Sequence, residues 1–162
     1  MRGMVAGEMT DAAQPEITPK LVEGLYLEAM GLADSARRYF DIEGADDRAA
    51  LDPLARVTFS CESLKVTTRL MHVVAWLMVR KAVEAGELTP AEAAAPARRL
   101  GRAADVAGDV RLDLLPKRAR KLVAGSIDLF ERVKRLDAQL GGEGDASSTD
   151  ARALLDRLRA SM

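Results

Sequence analysis

One rhythm constrains this chain more than any other feature. Val57, Cys61, Leu64, Thr68, Met71, Ala75, Met78 and Ala82 follow one another in alternating steps of four and three. Such spacing draws a stripe along one side of an α-helix of about 30 residues. A second stripe, Phe59, Val66, Leu70, Val73 and Leu77, runs beside the first. From Leu70 to Val79 nearly every side is apolar, with His72 the one interruption. A helix that is apolar all round needs cover on more than one side. Two helices of the same chain satisfy that need, as does one from the chain and one from a second subunit. The run is too short to span a membrane, which takes roughly 20 residues, so it reads as buried helix.

The ends of this helix are written in the sequence. Asp52-Pro53 is a cap followed by proline at the first helical position, and Gly86 stands where a left-handed C-cap residue belongs. Thr18-Pro19 repeats the starting signal for an earlier helix carrying Leu21, Val22, Leu25, Ala29, Leu32, Ala36, Tyr39 and Phe40 at helical spacing and ending near Gly44. Gly24 and Gly31 weaken that helix and leave room for a neighbouring helix to come close. Thr89-Pro90-Ala91-Glu92 predicts a capping box and a short helix limited by Pro96. Residues 97–114 are expected to be helical, with breaks near Gly101 and Gly108. Leu115, Ala119, Leu122, Ser126, Leu129, Val133, Leu136 and Leu140 restore the four-three rhythm, widened by Val123, Ile127 and Phe130, and predict a third long helix closed by Gly141-Gly142-Glu143-Gly144. No stretch alternates like a strand. The expectation is an all-α fold: a three-helix bundle over residues 17–140, with a short extra helix between helices two and three. Residues 1–16 are expected to form a disordered tail. Residues 141–162 are expected to form a flexible tail in which 150–160 suffice for a short helix.

Composition removes whole classes of function. The 162 residues hold 24 basic and 25 acidic side chains, a single cysteine and a single histidine. A chain basic throughout, as a nucleic-acid coat would be, is excluded. One cysteine allows no intrachain disulfide and no cysteine-built zinc site, and one histidine allows no site that needs two. No apolar run near the start has signal-peptide length, so a cytoplasmic protein is expected. Charge is nevertheless uneven: residues 1–60 carry 6 basic and 11 acidic groups, residues 98–135 carry 11 and 5. An acidic first helix and a basic last one can attract each other inside one bundle, or the basic face can dock an acidic partner.

Catalytic raw material is scarce. No glycine-rich phosphate loop is present. His72 and Trp76 share a helix face and read as an interface or core pair, with a ligand pocket as the sharper alternative. Cys61 lies on the first stripe and reads as a small packing residue. Thr67 and Thr68 read as returning their hydroxyls to the backbone one turn earlier. No catalytic, cofactor or metal residue is assigned, and an enzyme is the least supported class.

The stretch Glu62-Ser63-Leu64 through Thr67-Thr68-Arg69-Leu70-Met71 and Ala75-Trp76-Leu77, followed by the turn Gly86-Glu87-Leu88, resembles the signature of an alphaproteobacterial family, the regulators of CtrA degradation. A weaker likeness extends from about Leu21 to about Leu140. The resemblance implies a homodimeric three-helix bundle. It also implies a non-enzymatic adaptor of the ClpXP protease that works with a priming factor, delivers cell-cycle regulatory proteins and is recruited with the protease to a cell pole. Such an adaptor raises the local concentration of client beside the unfoldase and needs no bond chemistry.

Two other classes compete: a helical DNA-associated regulator using the basic 98–135 region, and a small-ligand-binding bundle with its pocket near His72 and Trp76. Against the first, Asp105, Asp109, Asp113, Asp128 and Glu131 interleave with the basic residues. Arg118, Arg120, Lys121 and Arg132 stand outside the apolar stripe of the third helix and are the candidate partner-docking residues. Leu70, Val73, Trp76 and Leu77 are the candidate dimer seam.

Overall fold

In the computed structural model, residues 16–101 and 111–160 are described, with side chains as far as Gly141. The helices are α1 (Pro19–Arg38), α2 (Ala45–Ala49), α3 (Pro53–Glu84), α4 (Pro90–Ala93) and α5 (Lys117–Ala160). No strand occurs among the described residues, so the fold is all-α, as the periodicity predicts. Where the chain reverses, the local chemistry is the expected one. Thr18 Oγ1 accepts from the Leu21 N–H at 3.1 Å and Asp52 Oδ1 from Ala55 N–H at 2.8 Å, each ahead of a first-turn proline. Gly86 adopts φ 73° and completes the C-cap of α3, its N–H bonding to Val83 and that of Glu87 to Ala82. Thr89 and Glu92 close their capping box in both directions.

The three long helices form the bundle. Contacts pair Glu23 with Lys81 and Phe40 with Phe59, so α1 and α3 run antiparallel. Arg69 meets Ser126 and Trp76 meets Asp137, so α3 and α5 run parallel. Parallel neighbours require a crossover, and residues 85–116 supply it. Its described parts contain α4 and 3-10 turns at Pro96–Arg98 and Leu112–Leu114 in place of the predicted broken helix. Prolines 96 and 116 and the alanine–arginine composition leave it without a continuous apolar stripe. The break expected at Gly108 and the tail over 1–15 lie outside the described residues.

The core contains Val22, Leu25, Ala29, Tyr39, Phe59, Val66, Val73, Leu77, Val123, Leu129 and Val133. At one end α1 continues into a π turn over Tyr39–Glu43. Gly44 is required there: its N–H reaches Tyr39 O at 2.6 Å, and a Cβ would lie 2.7 Å from that carbonyl. The widened turn brings Tyr39 and Phe40 against Phe59, with ring centroids 5.2–6.0 Å apart.

Three expectations need correction. The first concerns α3: its core face is the second stripe, while Val57, Leu64, Met71 and Met78 of the first are 57–69% exposed. Cys61, expected in packing, is exposed with them. The second concerns α1: Gly24 and Gly31 face open space instead of a neighbouring helix. The close approach falls at Gly125 of α5, where a Cβ would touch Leu32 at 3.5 Å. Finally, α5 does not end at Gly141-Gly142-Glu143-Gly144 but continues to Ala160, a helix of 44 residues. Glycine weakens a helix without terminating it when no proline or cap follows. Gly141 also has a packing reason, because a Cβ there would stand 2.7 Å from an Arg99 guanidinium nitrogen.

Candidate partner-binding surfaces

The basic face of α5 is partly neutralised by its own chain. Arg118 donates to Glu43 at 2.5 Å and stacks over the Tyr39 ring at 4.8 Å. Arg132 holds Glu28 with two nitrogens and Asp128 at 3.0 Å. These pairs hold both guanidinium pKa values above their ordinary level, chiefly through the hydrogen bonds to Glu43 and Glu28. The charge asymmetry in the sequence therefore serves, at these two positions, to hold α1 and its π turn against α5. Being largely exposed, such pairs orient helices more than they stabilise them. Arg120 and Lys121 project into solvent from the same helix, so the structure divides the four docking candidates into two bound to acids of α1 and its π turn and two open ones.

Leu70, Val73, Trp76 and Leu77 are 0–3% exposed inside the chain's own core. A seam through them would require opening the bundle, and the open apolar side of α3 lies opposite. Trp76 Nε1 donates to Asp137 Oδ1 at 2.9 Å, and Arg99 grips the same carboxylate at 2.7 and 3.2 Å and the Asp137 carbonyl at 2.8 Å. Arg80 lies over the Trp76 ring at 5.5 Å, and burial holds its pKa below the usual arginine value. Gly101 sits so close to the His72 ring that a Cβ would come within 2.8 Å. Both residues of the suggested ligand pocket are thus covered by the chain itself.

Reasoning from sequence missed this polar layer. Glu62 and Arg69 of α3 are each 3% exposed. Arg69 reaches Ser126 Oγ at 3.3 Å, and burial pushes its pKa down against the opposing pull of Glu62. Glu62 Oε1 accepts from Lys65 at 2.9 Å, while its Oε2 is buried without a partner. One signal was available: Glu62, Arg69 and Trp76 recur every seven residues on one side of the helix.

On the opposite side, α3 and α1 enclose an open groove of about 700 Å³. Ala33, Ala36 and Arg37 of α1 with Phe40 and Asp41 of the π turn form one wall, and Leu64, Met71 and Met78 run along α3. Thr67 and Thr68 return their hydroxyls to Ser63 O and Leu64 O at 3.1 and 2.9 Å, as expected, so they add no unmet polar group to this face. Among the described residues no group of three or more potential ligands is placed to hold a metal ion, and no helix is long and apolar enough to cross a membrane.

A family model described as "Protein of unknown function (DUF1465)" matches residues 13–162. Among solved structures, RcdA from Caulobacter crescentus CB15 is similar at 32% identity and a TM-score of 0.60, covering 80% of this chain and 95% of that one. Among curated proteins none matches.

Proposed function

The chain belongs to the DUF1465 family, and we propose that within it this protein is a non-enzymatic adaptor that delivers regulatory proteins to the ClpXP protease. The observation that carries the proposal is the likeness to RcdA, 32% identical over 80% of this chain. It agrees with the resemblance of Glu62–Thr89 to the regulators of CtrA degradation. The chemistry is consistent in kind. An adaptor needs a rigid scaffold and faces for two partners at once, and its effect is to raise local concentration. Arg120 and Lys121 on α5 form an open face for a partner, separate from the apolar side of α3. A homodimer belongs to the same reading, because the resemblance implies one and the open side of α3 calls for cover.

The test is a reconstituted degradation assay containing ClpXP, the priming factor and a labelled cell-cycle regulator, with and without this chain. Faster turnover of the regulator with the chain present, at unchanged turnover of a control substrate, is the expected result. Unchanged turnover for every regulator, together with no binding to protease or priming factor, would overturn the proposal.

A further inference from the structure

Sulfur has an unusual distribution in this chain. Met30, Met71 and Met78, the methionines among the described residues, are 44, 67 and 57% exposed, and Cys61 is exposed as well. Methionine and cysteine are ordinarily among the most buried residue types. Here neither occurs in the core cluster or among the residues packed against it. The four sulfurs also share one region. Cys61, Met71 and Met78 stand on the outer stripe of α3, and Met71 and Met78 line the groove against α1. Met30 lies one turn from Ala33 on the α1 side of that groove, and the antiparallel run of α1 and α3 sets it near the level of Met71.

An exposed thioether is open to oxidation by a peroxide. Hydrogen peroxide transfers one oxygen atom to the sulfur: the O–O bond breaks, an S–O bond forms and water leaves. Sulfur is oxidised by two electrons and the peroxide is reduced by two. The product, methionine sulfoxide, replaces a flexible apolar side chain with a polar one. The surroundings decide the consequence. A sulfoxide oxygen covered by a partner needs a hydrogen-bond donor. The hydroxyls at hand are already committed: Ser63 donates to Ser60 O at 2.8 Å, and Thr67 and Thr68 donate to carbonyls one turn back. The lysines beside the strip are engaged as well, Lys65 with Glu62 and Lys81 with Glu23. Because the core cluster holds no sulfur, the same oxidant leaves the packing of the bundle intact.

We infer that Met71 and Met78, with Met30 beside them, form a modification site for peroxide, where oxygen transfer makes the apolar side of α3 polar. A sulfoxide reductase reverses it, taking two electrons from a pair of thiols that leave as a disulfide while the oxygen leaves as water. The inference deepens the proposed function, as a control on the homodimer within it, but the oxidation itself is read without a dimer. The experiment treats the chain carrying Cys61→Ser with hydrogen peroxide. Peptide mass spectrometry follows oxygen uptake at each methionine, and light scattering follows association. In dilute solution Met71 and Met78 should oxidise within about threefold of the rate of free methionine, as their exposure requires, with circular dichroism unchanged. Dimer affinity should fall about tenfold for each covered sulfoxide and return after treatment with the reductase. A variant with Met30→Leu, Met71→Leu and Met78→Leu, which keeps the face apolar, should hold its affinity in peroxide. Protection of Met71 and Met78 in the dilute chain, sulfoxides there without loss of affinity, or an equal loss in the leucine variant would overturn the site. If the untreated chain is a monomer, the homodimer fails and binding of an apolar fluorescent dye reads the face instead. Dye binding that peroxide lowers in the methionine chain but not in the leucine variant supports the site; dye binding that peroxide leaves unchanged in both overturns it.

Discussion

The two sides of α3 have similar apolar content and opposite surroundings. On the inner side Phe59, Val66, Val73 and Leu77 are 0–2% exposed against α1 and α5; on the outer side Val57, Leu64, Met71 and Met78 are more than half exposed. The difference lies in what accompanies the apolar residues. The inner side carries Glu62, bonded to Lys65 of the same helix, and Arg69 and Trp76, which bond Ser126 and Asp137 and tie this face to α5 in one register. The outer side carries only small residues and hydroxyls already bonded to their own backbone. Apolarity does not separate the two sides, and the polar layer marks the one buried within the chain.

The comparison breaks most visibly under truncation. Leu77→Ala on the inner side should lower unfolding free energy by about 3 kcal/mol. Leu64→Ala should change that of the dilute monomer by no more than about 0.5 kcal/mol. Denaturant titrations at low protein concentration measure both, and equal losses would mean that the two sides are buried alike.

Removing the polar layer should cost less. Asp137→Ala leaves the buried Trp76 N–H without its acceptor and frees Arg99 from its carboxylate, an expected loss of about 2 kcal/mol. Tryptophan emission should shift with it, since Trp76 is the chain's one indole. A midpoint and a spectrum both unchanged would remove Asp137 from the set of residues that hold the inner side.

The far end of the inner side has a pH signature. Burial, then the hydrogen bond to Asp47 at 2.7 Å and its charge, raise the pKa of Tyr39 well above the ordinary tyrosine value, with Arg118 opposing. A raised folded pKa contributes stability that is complete below the unfolded value near 10 and is lost as pH climbs beyond it. Stability should therefore fall above about pH 10 more steeply in the unaltered protein than in Tyr39→Phe, as followed by urea midpoints; parallel curves would contradict it. The smallest expected effect is a gain. A Cβ added at Gly24 or Gly31 would meet nothing within 4 Å, so changing either to alanine should raise stability by about 0.5–1 kcal/mol. A loss on calorimetry would mean that α1 has a close neighbour at these positions.

What the sequence revealed follows from how local each signal is. The starts of α1, α3 and α4 and the Gly86 stop were legible because each cap acts within four residues. The three long helices were legible from their period. Which stripe of α3 faces inward was not, since both are apolar and the deciding partners, Ser126 and Asp137, stand 57 and 61 residues away in the chain. The same distance hid the ion pairs that occupy Arg118 and Arg132. The continuation of α5 past Gly141 was hidden because the neighbour that explains the glycine, Arg99, lies in a different element. Family membership was legible from Glu62–Thr89, where inner polar layer and outer strip are interleaved on one helix.

The most direct measurement is the mass of the chain in solution, by light scattering on a sizing column, for the unaltered protein and for Leu64→Asp with Met71→Asp. The homodimer within the proposed function, closed over the open side of α3, predicts twice the 17.5 kDa chain mass for the first and the single-chain mass for the second, with the same helical spectrum for both. A variant that remains a dimer, or an unaltered protein that runs as a monomer, would contradict the claim that the outer side of α3 is built for a second copy.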